Sequence, residues 1–240
     1  MMKRDILVVT DSHLTEHCPE WTVFRSLLEK ISQGDYDVLF LGDIFDVWIG
    51  CKSYETGIHR EFMEWCRKEK KKRNLWFLEG NHEFFIRKNR SDCFTEVFSD
   101  AAVLDEGKLF ATHGDMVNHH DGAYRMLRGI LRNPLTYFFL RIFGFSGLGS
   151  SFTGEVRKDL KSTNQKQKRY YPAEELRDLS KSLEAKGVSC IVVGHFHRDG
   201  QEGIVTLLEN FSQEDYMIAI YESGKGIRRI SAKELIGERK

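Results

Sequence analysis

Net charge is missing from this chain: 36 Lys and Arg balance 36 Asp and Glu over 240 residues. A neutral body excludes a molecule-wide attraction to polyanions. Paired cysteines are missing too. Cys18, Cys51, Cys66, Cys93 and Cys190 are scattered, odd in number and never in a C-x-x-C pair. That excludes a disulfide scaffold and a cysteine zinc site, and it points to a reducing compartment. No uninterrupted apolar run reaches the ~18 residues of a spanning helix. The apolar stretch 6–9 after the opening Met-Met-Lys-Arg-Asp is too short for the core of a signal peptide and reads as a first strand. We therefore expect a cytoplasmic protein. There is no internal repeat and no low-complexity segment.

What is present suits one α/β domain over residues 1–240, with 41% apolar and 30% charged residues. The apolar runs at 6–9, 38–41, 75–78, 109–112 and 190–193 are short and β-rich, as buried strands are. Trp21, Phe24, Leu27, Leu28 and Ile31 recur at helical spacing behind Pro19, where a first-turn proline is tolerated. Ile58, Phe62 and Trp65 mark a second helix, and Leu176, Leu179 and Leu183 a later one. The stretch 204–230 alternates strand and turn. Strand–helix alternation first and strand–turn–strand last predicts two packed sheets with helices outside.

Residues 118–171 break this pattern. Three helix-like pieces, 124–132, 134–144 and 152–169, form an insertion between two strands, which by position should overhang whatever those strands carry. Residues 120–171 hold ten Lys or Arg against three Asp or Glu, so this segment faces an anionic partner while the body does not.

Five segments carry the chemistry: Asp11-Ser-His13, Gly42-Asp43 with Asp46 beyond it, Gly80-Asn81-His82-Glu83, His113-Gly114 and Gly194-His195-Phe196-His197. Each follows an apolar run. One such segment alone is usually a turn with a surface histidine; five in this order at strand ends are a metal constellation. Carboxylate, amide oxygen and imidazole are hard and borderline ligands, which suit Mn²⁺, Fe or Zn²⁺. Asp11 with His13, and His195 with His197, lie two apart, so an extended chain would put each pair on one side. The expected set is Asp11, His13, Asp43 and His197 on one ion and Asp43, Asn81, His113 and His195 on a second, with Asp43 bridging. Two divalent ions sharing a water acidify it and neutralise charge on phosphoryl oxygens. His82 is the expected proton donor to the leaving oxygen, with Glu83 or Asp46 orienting its ring. The reaction class these residues imply is hydrolysis of a phosphate ester or anhydride.

The five segments, spanning Asp11 to His197, resemble the calcineurin-like metallophosphoesterase superfamily. That resemblance implies a four-layer α/β/β/α sandwich with the ligand roles above. Two stretches are similar to a narrower family, the UDP-2,3-diacylglucosamine diphosphatases of lipid A synthesis: FLGDIFDVWIG at 40–50, and HGDM at 113–116 followed by Asp121, Tyr124, Arg125 and Asn133-Pro134. The resemblance implies cleavage of a UDP-linked diacyl sugar to UMP and a lipid sugar 1-phosphate, Mn²⁺ as the usual metal, and a helical lid at the insertion. It places Asp121 at a sugar contact and suggests Arg157 and Lys161 for phosphate or lipid-sugar contacts. His82 departs from that family's arginine and matches the wider superfamily, whose substrates include other phosphodiesters, nucleotides and phosphoproteins.

Leu135, Tyr137, Phe138, Phe139, Leu140, Ile142, Phe143 and Phe145 make the second inserted piece apolar on nearly every face, with Arg125, Arg128, Arg132 and Arg141 around it. A helix this apolar must be covered by something. We expect a basic lid that grips acyl chains and rests on the anionic inner-membrane surface as a peripheral attachment. The run 67–73, rich in Lys and Arg, is expected to be a solvated helix end complementing the dipole rather than a nucleic-acid contact.

Overall fold

The computed structural model describes residues 4–119, 122–145, 171–212 and 215–237. In chain order its elements are β1 (Asp5–Val9), α1 (Pro19–Gln33), β2 (Tyr36–Phe40), β3 (Trp48–Ile49), α2 (Gly57–Glu69), β4 (Leu75–Leu78), β5 (Glu83–Phe84) and α3 (Ile86–Asn89). There follow β6 (Glu96–Phe98), β7 (Ala101–Leu104), β8 (Leu109–Thr112), α4 (Gly122–Leu131), α5 (Pro134–Phe145) and α6 (Ala173–Glu184). The chain continues through β9 (Cys190–Val193), β10 (Gly200–Glu202), β11 (Val205–Leu207), β12 (Met217–Glu222), β13 (Gly226–Ser231) and α7 (Ala232–Ile236).

A strand apolar at every position needs cover on both faces. In β1, Leu7 and Val9 face one apolar layer and Ile6 and Val8 the other; in β2, Val38 and Phe40 oppose Leu39 in the same way. One sheet therefore runs β13-β12-β1-β2-β4-β6, with β1, β2, β4 and β6 parallel and β12 and β13 antiparallel. The second runs β10-β11-β9-β8-β7, parallel in its centre and antiparallel at both edges. Between the sheets lie Val8, Leu39, Leu41, Ala102, Ala111, Val192 and Ala219. The outer face of the first sheet is covered by Phe24 and Leu27 of α1, Phe62 of α2 and Ala232 of α7. Leu176 and Leu183 of α6 cover Ile191, Val193 and Val205 on the second. The order is helix, sheet, sheet, helix, as the α/β/β/α expectation has it.

The inserted segment is helical where it is described. One side of α5 docks: Leu140 is buried, the Tyr54 hydroxyl donates to the Leu140 carbonyl at 2.9 Å, and Tyr137 donates to Asn89 Oδ1 at 2.9 Å. The other side does not. Leu135, Phe138, Phe139 and Ile142, at i, i+3, i+4 and i+7, are 68%, 59%, 54% and 51% exposed. The piece expected over 152–169 lies outside the described residues.

The basic run after α2 is less solvated than expected. Arg73 is buried against Glu69 at 3.0 Å and donates to the Tyr36 carbonyl at 2.8 Å, while Lys70 donates to the Phe94 carbonyl at 2.8 Å. A long basic side chain can bury its stem and its charge together when carbonyls and a carboxylate receive its donors.

His59 sits inside the core between Phe45 and Trp48, and its Nδ1 accepts the Thr56 backbone N–H at 3.1 Å. Burial pulls its pKa down to about 3. A base held neutral in the folded state binds fewer protons than the unfolded chain between about pH 6.5 and about pH 3. Stability therefore falls as pH is lowered through that window. Melting temperatures should drop across it in the wild type, with a shallower slope in His59→Phe, which cannot take up the proton.

Candidate metal centre

The strand ends of both sheets meet at one edge of the sandwich. β1, β2, β4, β8 and β9 deliver Asp11 and His13, Asp43, Asn81, His113, and His195 and His197 respectively. The chain there is not extended, contrary to the simple two-apart argument. Asp11, His13, Asp43, His195 and His197 all have positive φ, between 43° and 65°. Left-handed backbone at non-glycine residues is disfavoured and persists only where the surroundings over-determine it. Asp11 and His13 still share one group, but His195 and His197 part company: His195 turns toward Asp43 and His113, and His197 toward Asp11 and His13.

Two donor groups result. In the first, His197 Nε2 lies 3.2 Å from Asp11 Oδ1 and 3.3 Å from His13 Nε2. In the second, His113 Nε2 is 3.3 Å from Asp43 Oδ2, and Asn81 Oδ1 stands 3.1 Å from both His113 Nε2 and His195 Nδ1. Asp43 Oδ2 is also 3.9 Å from His13 Nε2, so this carboxylate lies between the groups. Asp11, Asp43, Asn81, His113 and His195 are buried.

The electrostatics leave the donors ready for cations. Burial opposes charge on Asp43, but His113 and His82 hold its carboxyl well below the usual range. Burial opposes charge on Asp11 as well, and the hydrogen bond from His197 holds it low. Burial and His82 push His13 down to about 3; burial and His113 push His195 down to about 4. Burial also disfavours the charged ring of His113, but Asp43 outweighs it and lifts the pKa to about 10. A cation at that position would take the place of the His113 proton.

Three glycines are required by contact. A side chain at Gly42 (φ +89°) would meet the Gly80 backbone and His113 Nδ1 at 2.8 Å; one at Gly194 would meet Asp11 Oδ2 at 2.5 Å; one at Gly80 would strike Asp43 Oδ1. Glu83 ties two of the loops together. Its carboxylate accepts the backbone N–H groups of Asp43, Ile44 and Gly80 at 2.8, 2.9 and 2.9 Å. Burial and the Asp43 charge raise its pKa, and those N–H bonds pull it back toward the carboxylate form.

Comparison with known proteins follows this geometry. The family model described as calcineurin-like phosphoesterase matches residues 4–199. The chain belongs to the calcineurin-like phosphoesterase family. A protein of Pseudomonas putida F1 named UDP-2,3-diacylglucosamine hydrolase is 27% identical, over 91% of this chain and 96% of its own length. One of Pseudomonas fluorescens Pf0-1 with the same name is 29% identical, over 80% of this chain and 79% of its own. Among solved structures, a cold-active protein-tyrosine phosphatase of a Shewanella species aligns at a TM-score of 0.48 with 13% identity, over 95% of this chain and 78% of that one.

This calcineurin-like phosphoesterase is thus a hydrolase acting on phosphorus esters or anhydrides, and its family implies divalent metal ions. Its own donors fit such ions: carboxylate, amide and imidazole atoms converge, without thiolate. His82 is buried beside them, 3.8 Å from Asp43 Oδ2 through Nε2. Its Nδ1 donates to the backbone carbonyl of Asp46, so Nδ1 carries a proton and Nε2 is turned to the centre. The expectation that a carboxylate of Glu83 or Asp46 orients the ring is corrected in part. Glu83 is occupied by backbone N–H groups, and Asp46 acts through its carbonyl. The Asp46 carboxylate instead groups with His13 and His82, a proximity hinted at by its place three residues past Asp43. Glu83 as a clamp had no sequence signal, because its partners are backbone atoms. Asp121, Arg157 and Lys161 lie outside the described residues.

Replacing Glu83 by Gln puts an amide N–H₂ where a backbone N–H must donate. We expect E83Q to lower the melting temperature and to weaken Mn²⁺ uptake about tenfold or more, as loss of outer-shell support does, read by calorimetry at fixed pH.

Proposed function

We propose that this enzyme hydrolyses the pyrophosphate of UDP-2,3-diacylglucosamine, releasing UMP and a lipid sugar 1-phosphate, with two Mn²⁺ ions held by Asp11, His13, Asp43, Asn81, His113, His195 and His197. The carrying observation is the two donor groups, one buried and one half-buried, with Asp43 between them, in a chain whose relatives over most of its length bear the name of that hydrolase.

When bound, the ions acidify water and offset charge on the phosphoryl oxygens. The protein's own part is positional. Left-handed turns and the Glu83 clamp fix the donors before substrate arrives, so little reorganisation is left for the reaction. His82, its ring oriented by the Nδ1–H bond to the Asp46 carbonyl, presents Nε2 to the departing phosphate oxygen, and in its doubly protonated form it gives that oxygen the Nε2 proton and keeps the one on Nδ1.

The helices of the insertion support a lipid substrate. On α4, Met126 and Ile130 are likewise 69% and 51% exposed. A cavity of about 710 Å³ beside α4 mixes Phe85, Met116 and Pro134 with Arg87, Lys88 and Arg125, a lining suited to a phosphorylated amphiphile. The insertion serves as a lid, and its apolar row rests on the inner-membrane surface from the cytoplasmic side. No helix among the described residues is long and apolar enough to cross a membrane. Two of the four arginines expected at that surface are used internally, Arg128 on Asp100 and Asp115 and Arg132 beside Glu79, so the attraction to anionic lipid rests on Arg125 and Arg141.

The Mn²⁺-loaded protein should release UMP from UDP-2,3-diacylglucosamine, and His82→Ala should slow that release about 10²-fold or more. Turnover of bis-p-nitrophenyl phosphate without any UMP would assign the enzyme to another phosphodiester, the reading that His82 favours. Phe138→Asp with Phe139→Asp should abolish co-sedimentation with anionic vesicles and leave hydrolysis of a soluble phosphodiester unchanged.

A further inference from the structure

Tyr124, Arg128 and Arg132 recur every four residues, a row on one face of α4 and its final turn. The Tyr124 hydroxyl donates to the Asp115 carboxylate. Arg128 Nε lies 3.1 Å from Asp115 Oδ2, and its Nη1 and Nη2 donate to Asp100 Oδ1 at 2.7 Å and the Ser99 carbonyl at 2.8 Å. Arg132 donates through Nη2 to the Gly80 carbonyl at 2.7 Å and through Nη1 to the Ser99 carbonyl at 3.1 Å. The arginine side chains are only 10% and 15% exposed, and Asp115 is 3% exposed.

The receiving atoms are not spread at random. Asp115 lies two residues beyond His113, and Gly80 directly precedes Asn81. His113 and Asn81 both belong to the donor group shared with Asp43 and His195. Among the described residues neither arginine bonds to the loops that carry Asp11, His13 or His197. Through these two arginines the described part of the insertion grips the loops of Asn81 and His113. We propose that Arg128 and Arg132 are positioning residues for one cation of the pair: they hold the loops of Asn81 and His113 in register, and their loss loosens the cation at Asn81, His113 and His195 while sparing the one at Asp11, His13 and His197. This rests on the two-cation reading above.

Mn²⁺ titration calorimetry on the full chain tests it without recourse to activity. The wild type should show two sites. Arg132→Met and Arg128→Met should each weaken one site about 10–100-fold, the usual cost of an outer-shell loss, and leave the other within about twofold. Arg132→Lys, which keeps the charge and one donor, should recover part of the affinity. Site identity comes from combined variants. In a chain already carrying His113→Asn, R132M should not weaken the cation that remains; in one carrying His197→Asn, the R132M loss should persist. Circular dichroism and melting temperature establish folding, and if R132M does not fold, R128M and R132K carry the same comparison. Two tight sites in the wild type with equal weakening of both, or of neither, in the variants would overturn this inference alone. A wild type that takes up no cation would overturn the two-cation reading and this inference with it.

Discussion

Crowding is the constraint on which the molecule turns. Two carboxylates, an amide and four imidazoles must gather in one mostly buried space, where water cannot solvate them and burial opposes every charge. Burial of this kind destabilises a fold unless the surroundings fix the geometry and supply compensation. Here the compensation comes from the backbone. Asp11 N–H donates to the Gly42 carbonyl at 3.1 Å and His13 N–H to the Asp43 carbonyl at 3.0 Å, so the first two donor loops are stitched together through their backbones. Glu83 stitches the second loop to the third. The His195 N–H closes the ring onto Asp11 Oδ2 at 2.8 Å.

The sandwich explains why so many loops can converge. Parallel strands end at the same edge of their sheet, so β1, β2 and β4 release their chains side by side. β8 and β9 do the same in the second sheet. Packing the sheets face to face brings the two sets of loops across from each other over a core of small and medium residues such as Ala102, Ala111, Val192 and Ala219. Function sits at the carboxyl ends of the strands because that is where chain direction and layer geometry leave free backbone.

Much of this was legible in the sequence. Strands buried on both faces read as unbroken apolar runs, and a donor directly after each run can only sit at a strand end; this gave the layers, the seven candidate donors and His82. Three things were not legible, each for a physical reason. Left-handed turns at Asp11 or His195 cannot be inferred from residue type, since Asp and His, though more often found there than other non-glycine residues, adopt that conformation only in a small minority of cases. The Glu83 clamp uses backbone partners, which leave no side-chain pattern. Arg128 and Arg132 looked like surface charge because the helical pattern shows which residues share a face, not whether that face meets acids; Asp100, Asp115 and Glu79 are far away in sequence. The composition of α5 shows that it needs cover but not which side the body supplies; only the side bearing Tyr137 and Leu140 meets it.

The row on α4 bears on how such proteins can be rebuilt. A segment inserted between two strands invites treatment as a cassette, to be trimmed or exchanged with that of a relative to change the substrate. In this chain the segment is also a buttress: Arg128 and Arg132 hold the turns at Gly80, Ser99, Asp100 and Asp115 from outside. Excision would take Tyr124 and Arg128 from the Asp115 carboxylate. A graft would succeed only if the donor helix brought its own basic row in matching register.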